Sequence, residues 1–522
     1  MLPLPKGTQS FSTLRLRNEL YVDKTATIYE LTRFSGTYFI ARPRRFGKSL
    51  LLSTVESLFK KGLEEFQGLA IESLWQDKTY SVISIDFALV SEFKDPDDFL
   101  DKLCKYLRVA FQSLGFTSSG DPTLFLFELN AWLKQQPNNS LVLLVDEYDA
   151  PLTRVLHQKA FFDGVQSILR AFYSVMKNAG AAFRFILITG ITRFNHTGIF
   201  SGFNNLQDIT LNPFFSTLLG YTEEELKTYF GPYLSRAAEW HQMTKEQLLG
   251  HLREYYDGFC FDDQASKHVY CPWSILNFFT ATTGFRFDNY WFLSGGQPTV
   301  LMNYLAHRKL EQPLDFFETV TITPSQLLAS NPYEQLDVNV LLQQTGYLTI
   351  KHVDVSGGLE LGYPNKEVSA SMAMLFSKVM VDDDIFTSQP LLKFMLNGDV
   401  EPAMAFVNQV FRSLNYHRYP VRDEASFQGA LQILMIGISL LPQVEVHSAQ
   451  GRSDLEVVAG DFLWVFELKW AKTGQAVPHL LQAAQDQIKT RHYGETTHGK
   501  TLRRVAMVFD ESKRQVHWNA LP

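Results

Sequence analysis

The sequence predicts an α/β protein, with a doubly wound parallel sheet first, a helical region in the middle and a second, smaller α/β domain last. Three observations predict this order. The first third alternates apolar strands with helix-patterned segments, as parallel strands joined by crossover helices do. The middle is helical in pattern and rich in aromatic residues, and the last part reads helix, three strands, helix, strand. We predict domains over residues 1–215, 216–395 and 396–522.

Composition and charge exclude several classes of protein. The 522 residues are 45% apolar and 14% aromatic, too much for a mainly disordered chain. Lys and Arg number 48 against 55 Asp and Glu, which excludes a uniformly basic nucleic-acid coat but allows a local basic groove. The 3 cysteines are too few for a disulfide framework or a four-ligand zinc site. With no apolar leader and no stretch able to span a bilayer, we expect a cytoplasmic protein without a membrane partner.

The first predicted strand, residues 37–41, runs into a loop and then a helix, and Phe46-Gly-Lys-Ser49 stands at that junction. This is the place of a phosphate-binding loop, where helix N–H groups attract phosphate. Lys48 would reach the β- and γ-phosphates, and Ser49 would bind Mg²⁺; we expect Lys48 to be exposed without nucleotide. An ordinary helix start competes with this interpretation, because Arg42 replaces the motif's first glycine. The expected nucleotide contacts are Arg45, Phe46, Gly47, Lys48, Ser49 and Leu50.

Two later strands end in polar residues. The apolar strand at residues 141–145 ends in Asp146 and Glu147, of which Asp146 would hold Mg²⁺ and Glu147 would polarise the attacking water. A solvated acidic turn is the alternative. Thr189 ends another strand and would sense the γ-phosphate, and Arg193 would act as an arginine finger, although a surface arginine is equally compatible. We interpret Asp149 as an N-cap or turn residue.

The middle region gives structural signals. Thr222 to Glu225 form a capping box that opens a helix. The aromatic cluster at residues 255–292 is interpreted as core. A helix at residues 336–344 precedes a hairpin made of residues 347–355 and 359–363. Helix and hairpin together predict a small winged-helix-like module.

Asp454 begins a predicted strand, and Glu467-Leu-Lys469 ends the next one. Glu467 and Lys469 share one face because strand side chains alternate. Asp454 and Glu467 would bind Mg²⁺, with Glu424 of the preceding helix completing the site, and Lys469 would orient water. A surface ion-pair ladder across a hairpin is the alternative, and for Glu424, as for Gln487 on the later helix, the alternative is a solvated helix face. Phosphate-pairing charge would come from Lys469, Lys472, Lys489, Arg491, Arg503 and Arg504.

Several motifs together resemble a known family. They are Tyr21-Val-Asp-Lys-Thr25, Arg42-Pro-Arg-Arg-Phe-Gly-Lys-Ser49, Val145-Asp-Glu-Tyr-Asp149, Thr189-Gly-Ile-Thr-Arg-Phe194, Ser201-Gly-Phe-Asn-Asn205 and Gly451-Arg-Ser-Asp454. They resemble the AAA-ATPase-like family, whose members pair a P-loop ATPase with a C-terminal nuclease of the PD-(D/E)XK superfamily. The resemblance implies a P-loop NTPase fold, a restriction-endonuclease-like domain, and nucleic-acid contacts by Arg452, Gln487 and Tyr493.

The predicted function is that of an ATP-binding, ATP-hydrolysing protein whose last domain is a Mg²⁺-dependent endonuclease, a phosphodiester hydrolase with DNA favoured over RNA. The cofactors would be ATP and Mg²⁺, and the partner a nucleic acid. The alternative from another class is a nucleotide-switched scaffold whose nuclease-like domain binds nucleic acid without cutting it. A third is a nuclease whose first domain no longer hydrolyses ATP. Assembly of identical copies stays open.

Overall fold

The computed structural model describes all residues except 157, 194–195, 201–202, 204, 281–283, 294–318, 329–336, 373–388, 415, 417–419, 439, 441, 449–450, 474, 495–498 and 522. The chain divides into two compact units. The first comprises Met1–Asn303 and Thr319–Glu367, and the second comprises Tyr304–Glu318 and Val368–Pro522. None of the described helices is both long enough and apolar enough to cross a membrane.

A five-stranded sheet forms the centre of the first unit. Its strands are β1 Gly36–Ala41, β2 Ser81–Asp86, β3 Leu141–Asp146, β4 Phe183–Gly190 and β5 Leu206–Asp208. They are ordered β2-β3-β4-β1-β5, and every neighbouring pair is parallel. Residues of β1, β3 and β4 are buried almost without interruption, as in a sheet covered by helices on both faces. The predicted doubly wound parallel sheet is confirmed.

The fifth strand ends earlier than its apolar pattern indicates. The segment Asp208-Ile-Thr-Leu211 predicts a strand that continues to residue 211, whereas the structure ends β5 at Asp208. Asp208 Oδ1 accepts a hydrogen bond of 2.9 Å from Thr210 N. This short side-chain turn competes with the sheet for the backbone N–H group and stops the strand.

Helices surround this sheet and continue into the middle region. They include α1 Phe11–Leu16, α2 Thr25–Thr32, α3 Lys48–Lys61, α4 Pro96–Gln112, α5 Pro122–Leu133, α6 Ala150–Arg154, α7 Lys159–Asn178, α8 His196–Phe200, α9 Glu223–Tyr229, α10 Gly231–Trp240, α11 Lys245–Tyr256, α12 Pro272–Thr280, α13 Tyr290–Leu293, α14 Pro324–Leu328 and α15 Val338–Gln344. Both side chains of the predicted capping box at Thr222 and Glu225 make their reciprocal bonds and open α9.

The middle region also contains short antiparallel strands. They are β6 Phe259–Cys260, β7 His268–Val269, β8 Val320–Ile322, β9 Thr349–Val353 and β10 Leu359–Gly362. The predicted hairpin is present as β9 and β10, directly after α15. A third strand, β8, pairs with the other edge of β10 and gives the order β8-β10-β9.

The second unit holds a mixed five-stranded sheet and four described helices. The helices are α16 Gln389–Asn397, α17 Val400–Ser413, α18 Glu424–Gly437 and α19 Val477–Thr490. The strands are β11 Pro442–Ser448, β12 Gly451–Ala459, β13 Phe462–Ala471, β14 Thr501–Asp510 and β15 Gln515–Leu521, in chain order across the sheet. Only β13 and β14 are parallel. The predicted order of helices and strands is present, with β15 added at one edge.

Strand β13 separates two apolar clusters of this unit. Trp464, Phe466 and Leu468 face a core that includes residues of α18. Leu463 and Val465 face the opposite side, together with Ala484 and Ile488 of α19. This alternation along one strand places Glu467 and Lys469 on the same side as Leu463 and Val465.

Candidate active sites

The loop at residues 42–47 connects β1 to α3 and is shaped by its neighbours. Arg45 and Gly47 adopt left-handed backbone conformations, with φ of 73° and 93°. The Arg45 guanidinium lies 4.1 Å from the centre of the Trp273 ring, and Phe46 is buried with edge contacts to the rings of Phe259 and Phe261. Strained backbone at a non-glycine position persists only where packing fixes it, and such positions cluster at functional sites.

Arg42, which replaces the first glycine of the general motif, points away from the loop's interior. Its side chain is buried, and its Nη1 donates to the carbonyl oxygens of Ala41 at 2.8 Å and Thr210 at 2.6 Å. The guanidinium also lies 4.3 Å from the centre of the Phe261 ring. The side chain therefore fastens the base of the loop to the segment after β5.

Lys48 is buried rather than exposed. Only 7% of the residue is accessible, and Nζ donates to the carbonyl oxygens of Arg42 at 2.9 Å and Pro43 at 3.0 Å. Burial lowers the pKa of Lys48, and the nearby charges of Asp146 and Glu147 oppose that shift. The expectation of an exposed lysine is wrong because the ammonium folds back onto the carbonyls of its own loop.

The ends of β3 and β4 and the start of α3 meet at Asp146. Ser49 Oγ donates to Asp146 Oδ2 at 2.6 Å, and Thr189 Oγ1 donates to Asp146 Oδ1 at 2.5 Å. The order of the sheet explains this, because β4 lies between β1 and β3 and the carboxyl ends of parallel strands share one edge. Three residues predicted from separate motifs are thus brought together.

Glu147 follows Asp146 with a left-handed backbone, at φ 49°. Burial raises the pKa of its carboxyl group; Lys48 opposes the shift, and Asp149 and Asp146 add to it. A carboxylate with a raised pKa beside a phosphate site is suited to accept a proton from water.

Arg193 and Asp149 have partners that differ from the sequence interpretation. The guanidinium of Arg193 forms an ion pair of 2.5 Å with Asp208, and both side chains are largely buried. Asp149 stands at the N-cap position of α6, but its carboxylate caps no N–H group of that helix. It accepts instead from the backbone N and the Oγ1 of Thr192, at 2.8 and 2.6 Å.

A cavity of about 320 Å³ opens beside the loop. Its polar end is formed by Arg44 to Ser49 and Glu147. The rest of its lining is mainly apolar and includes Leu14, Leu20, Tyr21, Val22, Ile28, Leu218, Leu219, Tyr221, Pro272, Trp273 and Leu276, with Thr8, Gln9, Lys24 and Thr54 as polar members. The cavity therefore combines a mainly apolar lining with charged and polar groups of the loop at Lys48.

Lys24 joins two walls of this cavity, a role that the sequence analysis missed. Its Nζ lies 2.6 Å from Glu225 Oε1 and donates to the carbonyl oxygen of Thr217 at 2.8 Å. Glu225 is itself the third helical residue of the capping box on α9. The only signal in the sequence was the Tyr21-Val-Asp-Lys-Thr25 motif, whose resemblance carried no residue role.

Glu367 is connected to Arg44, a residue of the cavity lining, through Trp291. It is fully buried, and it accepts from Ser274 Oγ at 2.7 Å and from Trp291 N at 2.8 Å. Trp291 Nε1 in turn donates to the carbonyl oxygen of Arg44 at 3.4 Å. Burial raises the pKa of Glu367 to about 8.

We expect stability to fall as the pH rises from about 4.5 to about 8. The unfolded Glu367 loses its proton near 4.5 and the folded one near 8, so in this range the native state binds more protons. Glu367→Gln, which imitates the neutral acid, should flatten the curve and stabilise the protein above pH 8 by on the order of 4 kcal/mol. Thermal melts from pH 5 to 9 test this, and parallel curves for both proteins contradict it.

The second site lies where β12 and β13 run side by side. Asp454 Oδ2 accepts from Leu468 N at 2.7 Å, and Lys469 Nζ donates to Glu467 Oε1 at 2.7 Å. The antiparallel register pairs Leu455 with Phe466, which places the next residues, Asp454 and Glu467, side by side. The sequence predicts that Asp454 begins its strand. In the structure Asp454 is the fourth residue of β12, because the strand extends back to Gly451.

The preceding helix approaches this site with Glu424 and Gln428. Gln428 Nε2 donates to the carbonyl oxygen of Asp454 at 2.6 Å. Glu424, at the start of α18, lies 3.6 Å from Lys469 Nζ and is about half exposed. Across the described residues, no three His, Cys, Asp or Glu side chains converge as a ready metal site. Here the ammonium of Lys469 lies between two of the predicted ligands.

The donor set nevertheless fits a divalent cation. Glu467 is completely buried, and its Oε2 atom has no hydrogen-bond partner among the described residues. An unpaired buried carboxylate oxygen is costly unless a cation or donor reaches it. Burial and the neighbouring Asp454 raise the pKa of Glu467 to about 7, against the effect of Lys469. Oxygen donors of this kind are those that Mg²⁺ prefers.

Several residues predicted to contact nucleic acid form hydrogen bonds within the second unit. Tyr493 lies after α19, which ends at Thr490; its ring is buried, and its hydroxyl accepts from Gln487 Nε2 at 3.2 Å. Arg503 donates to the carbonyl oxygen of Gly398 and Arg504 to that of Tyr493, each at 2.9 Å. Both arginines thus contact backbone within the unit, and their role as phosphate-pairing charges stays a prediction. The side chain of Arg452 on β12 and residues 194, 201–202 and 204 of the quoted motifs lie outside the described residues.

Comparisons with known proteins find a family model for each of the two regions of the chain. A family model described as a predicted AAA-ATPase matches residues 5–200, and a model of the PD-(D/E)XK nuclease superfamily matches residues 422–519. The "uncharacterized protein in vnfD 5'region" of Azotobacter chroococcum mcd 1 is 29% identical over 531 residues, covering 98% of this chain and 97% of that protein. The similarity to this relative therefore extends along nearly the full length of both chains.

The matched ranges coincide with the elements that carry the two sites. The first contains β1 to β4 with the loop at Lys48, and the second contains α18 and most of the sheet around Glu467. The chain thus joins an AAA-ATPase-like domain at residues 5–200 to a PD-(D/E)XK nuclease superfamily domain at residues 422–519.

Proposed function

We propose that this protein binds and hydrolyses ATP and cleaves DNA with a Mg²⁺-dependent nuclease domain. The observation that carries the proposal is that one chain contains two sites with polar groups already brought together. In one, Ser49 and Thr189 converge on Asp146 beside a cavity. In the other, Asp454 and the unpaired oxygen of Glu467 lie beside Lys469.

The cavity favours adenine over guanine. Among the described residues that line it, Glu147 is the only carboxylate, and it follows Asp146 close to the loop at Lys48. A site for guanine needs an acceptor for the N1–H and N2–H₂ donors, which a carboxylate supplies best. The remaining lining is mainly apolar, with Thr8, Gln9, Lys24 and Thr54 as polar members. The lack of a second carboxylate supports ATP as the proposed nucleotide.

The phosphates would be bound by this chain's own groups at the polar end of the cavity. Lys48 would exchange its carbonyl partners for phosphate oxygens, and the N–H groups of residues 45–50 would face the phosphates at the start of α3. Ser49 and Asp146 would hold Mg²⁺, which screens the phosphate charge. Glu147 would accept a proton from water, and Thr189 would orient the γ-phosphate. Arg193 would take part only after leaving its ion pair with Asp208.

In the nuclease site, Asp454 and Glu467 would hold Mg²⁺, with Glu424 joining from α18. The cation polarises the phosphate and lowers the pKa of water. Lys469 would then turn from the carboxylates to the water or to the developing negative charge. Glu467 must lose its proton to bind the metal, so cation binding strengthens as the pH rises toward its pKa of about 7. Gln487 and the Tyr493 hydroxyl would contact the nucleic-acid backbone as a hydrogen-bonded pair, together with Arg452.

Incubating the purified protein with plasmid and single-stranded substrates, with and without Mg²⁺ and ATP, tests the proposal. Strand breaks that need Mg²⁺ support the nuclease, and dependence on ATP supports coupling between the domains. Nucleic-acid binding without breaks would favour the nucleotide-switched scaffold instead. Truncated chains test the proposed domain division, with one cut at residue 215 and the other before Gln389 because α16 spans residue 395; each part should melt cooperatively.

Lys48→Ala is expected to weaken binding of ATP and Mg²⁺ by roughly a hundredfold, because a charge-assisted contact to phosphate is lost. Isothermal titration measures the affinity. Since Lys48 is buried against two carbonyls, a thermal melt must accompany the titration. Lys48→Met, which keeps the stem without the charge, is the matched variant. Unchanged affinity in a folded variant contradicts the nucleotide site.

A further inference from the structure

The loop after β4, residues 191–193, is fixed on one side by the residues that follow Glu147. Asp149 is buried, and it accepts from Thr192 N at 2.8 Å, from Thr192 Oγ1 at 2.6 Å and from Ile191 N at 3.2 Å. Tyr148 donates from its hydroxyl to the carbonyl oxygen of Thr192 at 2.8 Å. A displacement of the loop after β3 therefore displaces the loop after β4.

On its other side the same loop is held by Gln344, the last residue of α15. Gln344 Oε1 accepts from Arg193 N at 2.9 Å. The residue is buried, with 6% exposed, and its Nε2 atom has no hydrogen-bond partner in the described part of the chain. A buried amide with an unpaired nitrogen costs stability compared with an apolar side chain of similar size. The unpaired nitrogen therefore offsets the stability that the bond to Arg193 N contributes.

The residues after Gln344 also contact the loop at residues 42–47, which we call the nucleotide loop. Gly346 packs so closely on Pro43 that a Cβ atom there would lie 2.8 Å from its ring. The Tyr347 ring lies 5.0 Å from that of Trp291, whose Nε1 donates to the carbonyl oxygen of Arg44. One short segment thus contacts both loops of the nucleotide site.

We propose that Gln344 and Asp149 are positioning residues that couple the nucleotide site to α15 and the turn that follows it, residues 338–348. A nucleotide that draws Lys48 from the carbonyls of Arg42 and Pro43 changes the nucleotide loop. The contacts of Gly346 with Pro43 and of Gln344 with Arg193 then shift the equilibrium between conformations of residues 338–348. This inference rests on the proposed nucleotide binding.

Hydrogen–deuterium exchange of the full chain, with and without a non-hydrolysable ATP analogue and Mg²⁺, tests the coupling. In the wild type we expect slower exchange at residues 42–50, and a change of roughly fivefold or more at residues 338–348. Gln344→Leu should keep the first effect and lose the second, and it should melt slightly below the wild type because the N–H group of Arg193 loses its acceptor. Gln343→Leu is the matched control: Gln343 is equally buried in the same helix, and this variant should keep both effects.

The outcomes separate the two proposals. A wild type that is protected at 42–50 but unchanged at 338–348 overturns the coupling alone, as does a Gln344→Leu variant that responds fully. Absence of any change at 42–50 in the wild type overturns the nucleotide site, and the coupling with it. Asp149→Asn adds a second variant: nucleotide affinity should stay within about twofold, while exchange at 191–193 rises and the response at 338–348 disappears.

Discussion

Asp454→Asn is expected to reduce Mg²⁺-dependent DNA cleavage by roughly a thousandfold or more, equivalent to about 4 kcal/mol. Asparagine keeps an oxygen for the N–H group of Leu468, so the strands stay paired, but it removes the charge that holds the cation. Affinity for DNA should stay the same or increase, because basic side chains bind the phosphates and a repulsive carboxylate is gone. Glu467→Gln should have the same effect.

Cleavage assays and fluorescence anisotropy on the same preparations measure both quantities. The matched control is Glu456→Gln, which removes another half-buried carboxylate of β12. Glu456 accepts a hydrogen bond from Ser453 Oγ. It should cut DNA at the wild-type rate. If Asp454 and Lys469 only form a structural ladder, the variants should melt lower and cleavage should be unaffected. Cleavage by Asp454→Asn at the wild-type rate would contradict the assignment of the metal site.

Glu147→Gln is expected to slow ATP turnover by about a hundredfold or more while leaving ATP affinity unchanged. The substitution removes the group that accepts a proton from water. It leaves Lys48 for the phosphates and keeps Asp146, with its two hydroxyl partners, for the cation. Glu147→Gln therefore changes ATP hydrolysis without changing ATP affinity, whereas Lys48→Ala lowers the affinity itself.

Phosphate release and isothermal titration measure the two effects of Glu147→Gln. Asp86→Asn provides the matched control, because Asp86 ends β2 directly beside Asp146 in the sheet but is not among the residues that line the cavity. It should hydrolyse ATP normally. Equal turnover in Glu147→Gln and the wild type would exclude Glu147 as the base. A wild type that binds ATP and releases no phosphate, with or without DNA, would favour a nucleotide switch.

Much of the architecture is encoded in local patterns. Asp95 and Pro96 predict the start of α4, where the Asp95 side chain accepts from Asp98 N. Helix α7 carries apolar residues at 162, 165, 169 and 172, a spacing that predicts a helix from the sequence. Strand β15 is different: few of its residues are buried, and an edge strand without clear alternation gives no periodic signal.

The candidate sites show the limit of local reasoning. Ser49, Asp146 and Thr189 are predictable because parallel strands place their carboxyl ends at one edge. The partners of Lys48 and Asp149 are not, since a buried polar group takes whichever donor or acceptor the tertiary fold supplies. Thr192, which binds Asp149, is 43 residues away in the chain. Likewise, nothing in the spacing of Glu467 and Lys469 indicates that one carboxylate oxygen is left unpaired.

Arg42 changes how this loop relates to other phosphate-binding loops in evolution. The general motif uses glycine at this position, whereas here a buried guanidinium supplies donors to the carbonyl oxygens of Ala41 and Thr210. Arg42→Gly would leave both carbonyls without these donors and open a void beneath Phe261, a combination that destabilises a core. A lineage with this arginine cannot reach the glycine form by one neutral step. In this protein, arginine and glycine at this position are therefore not interchangeable.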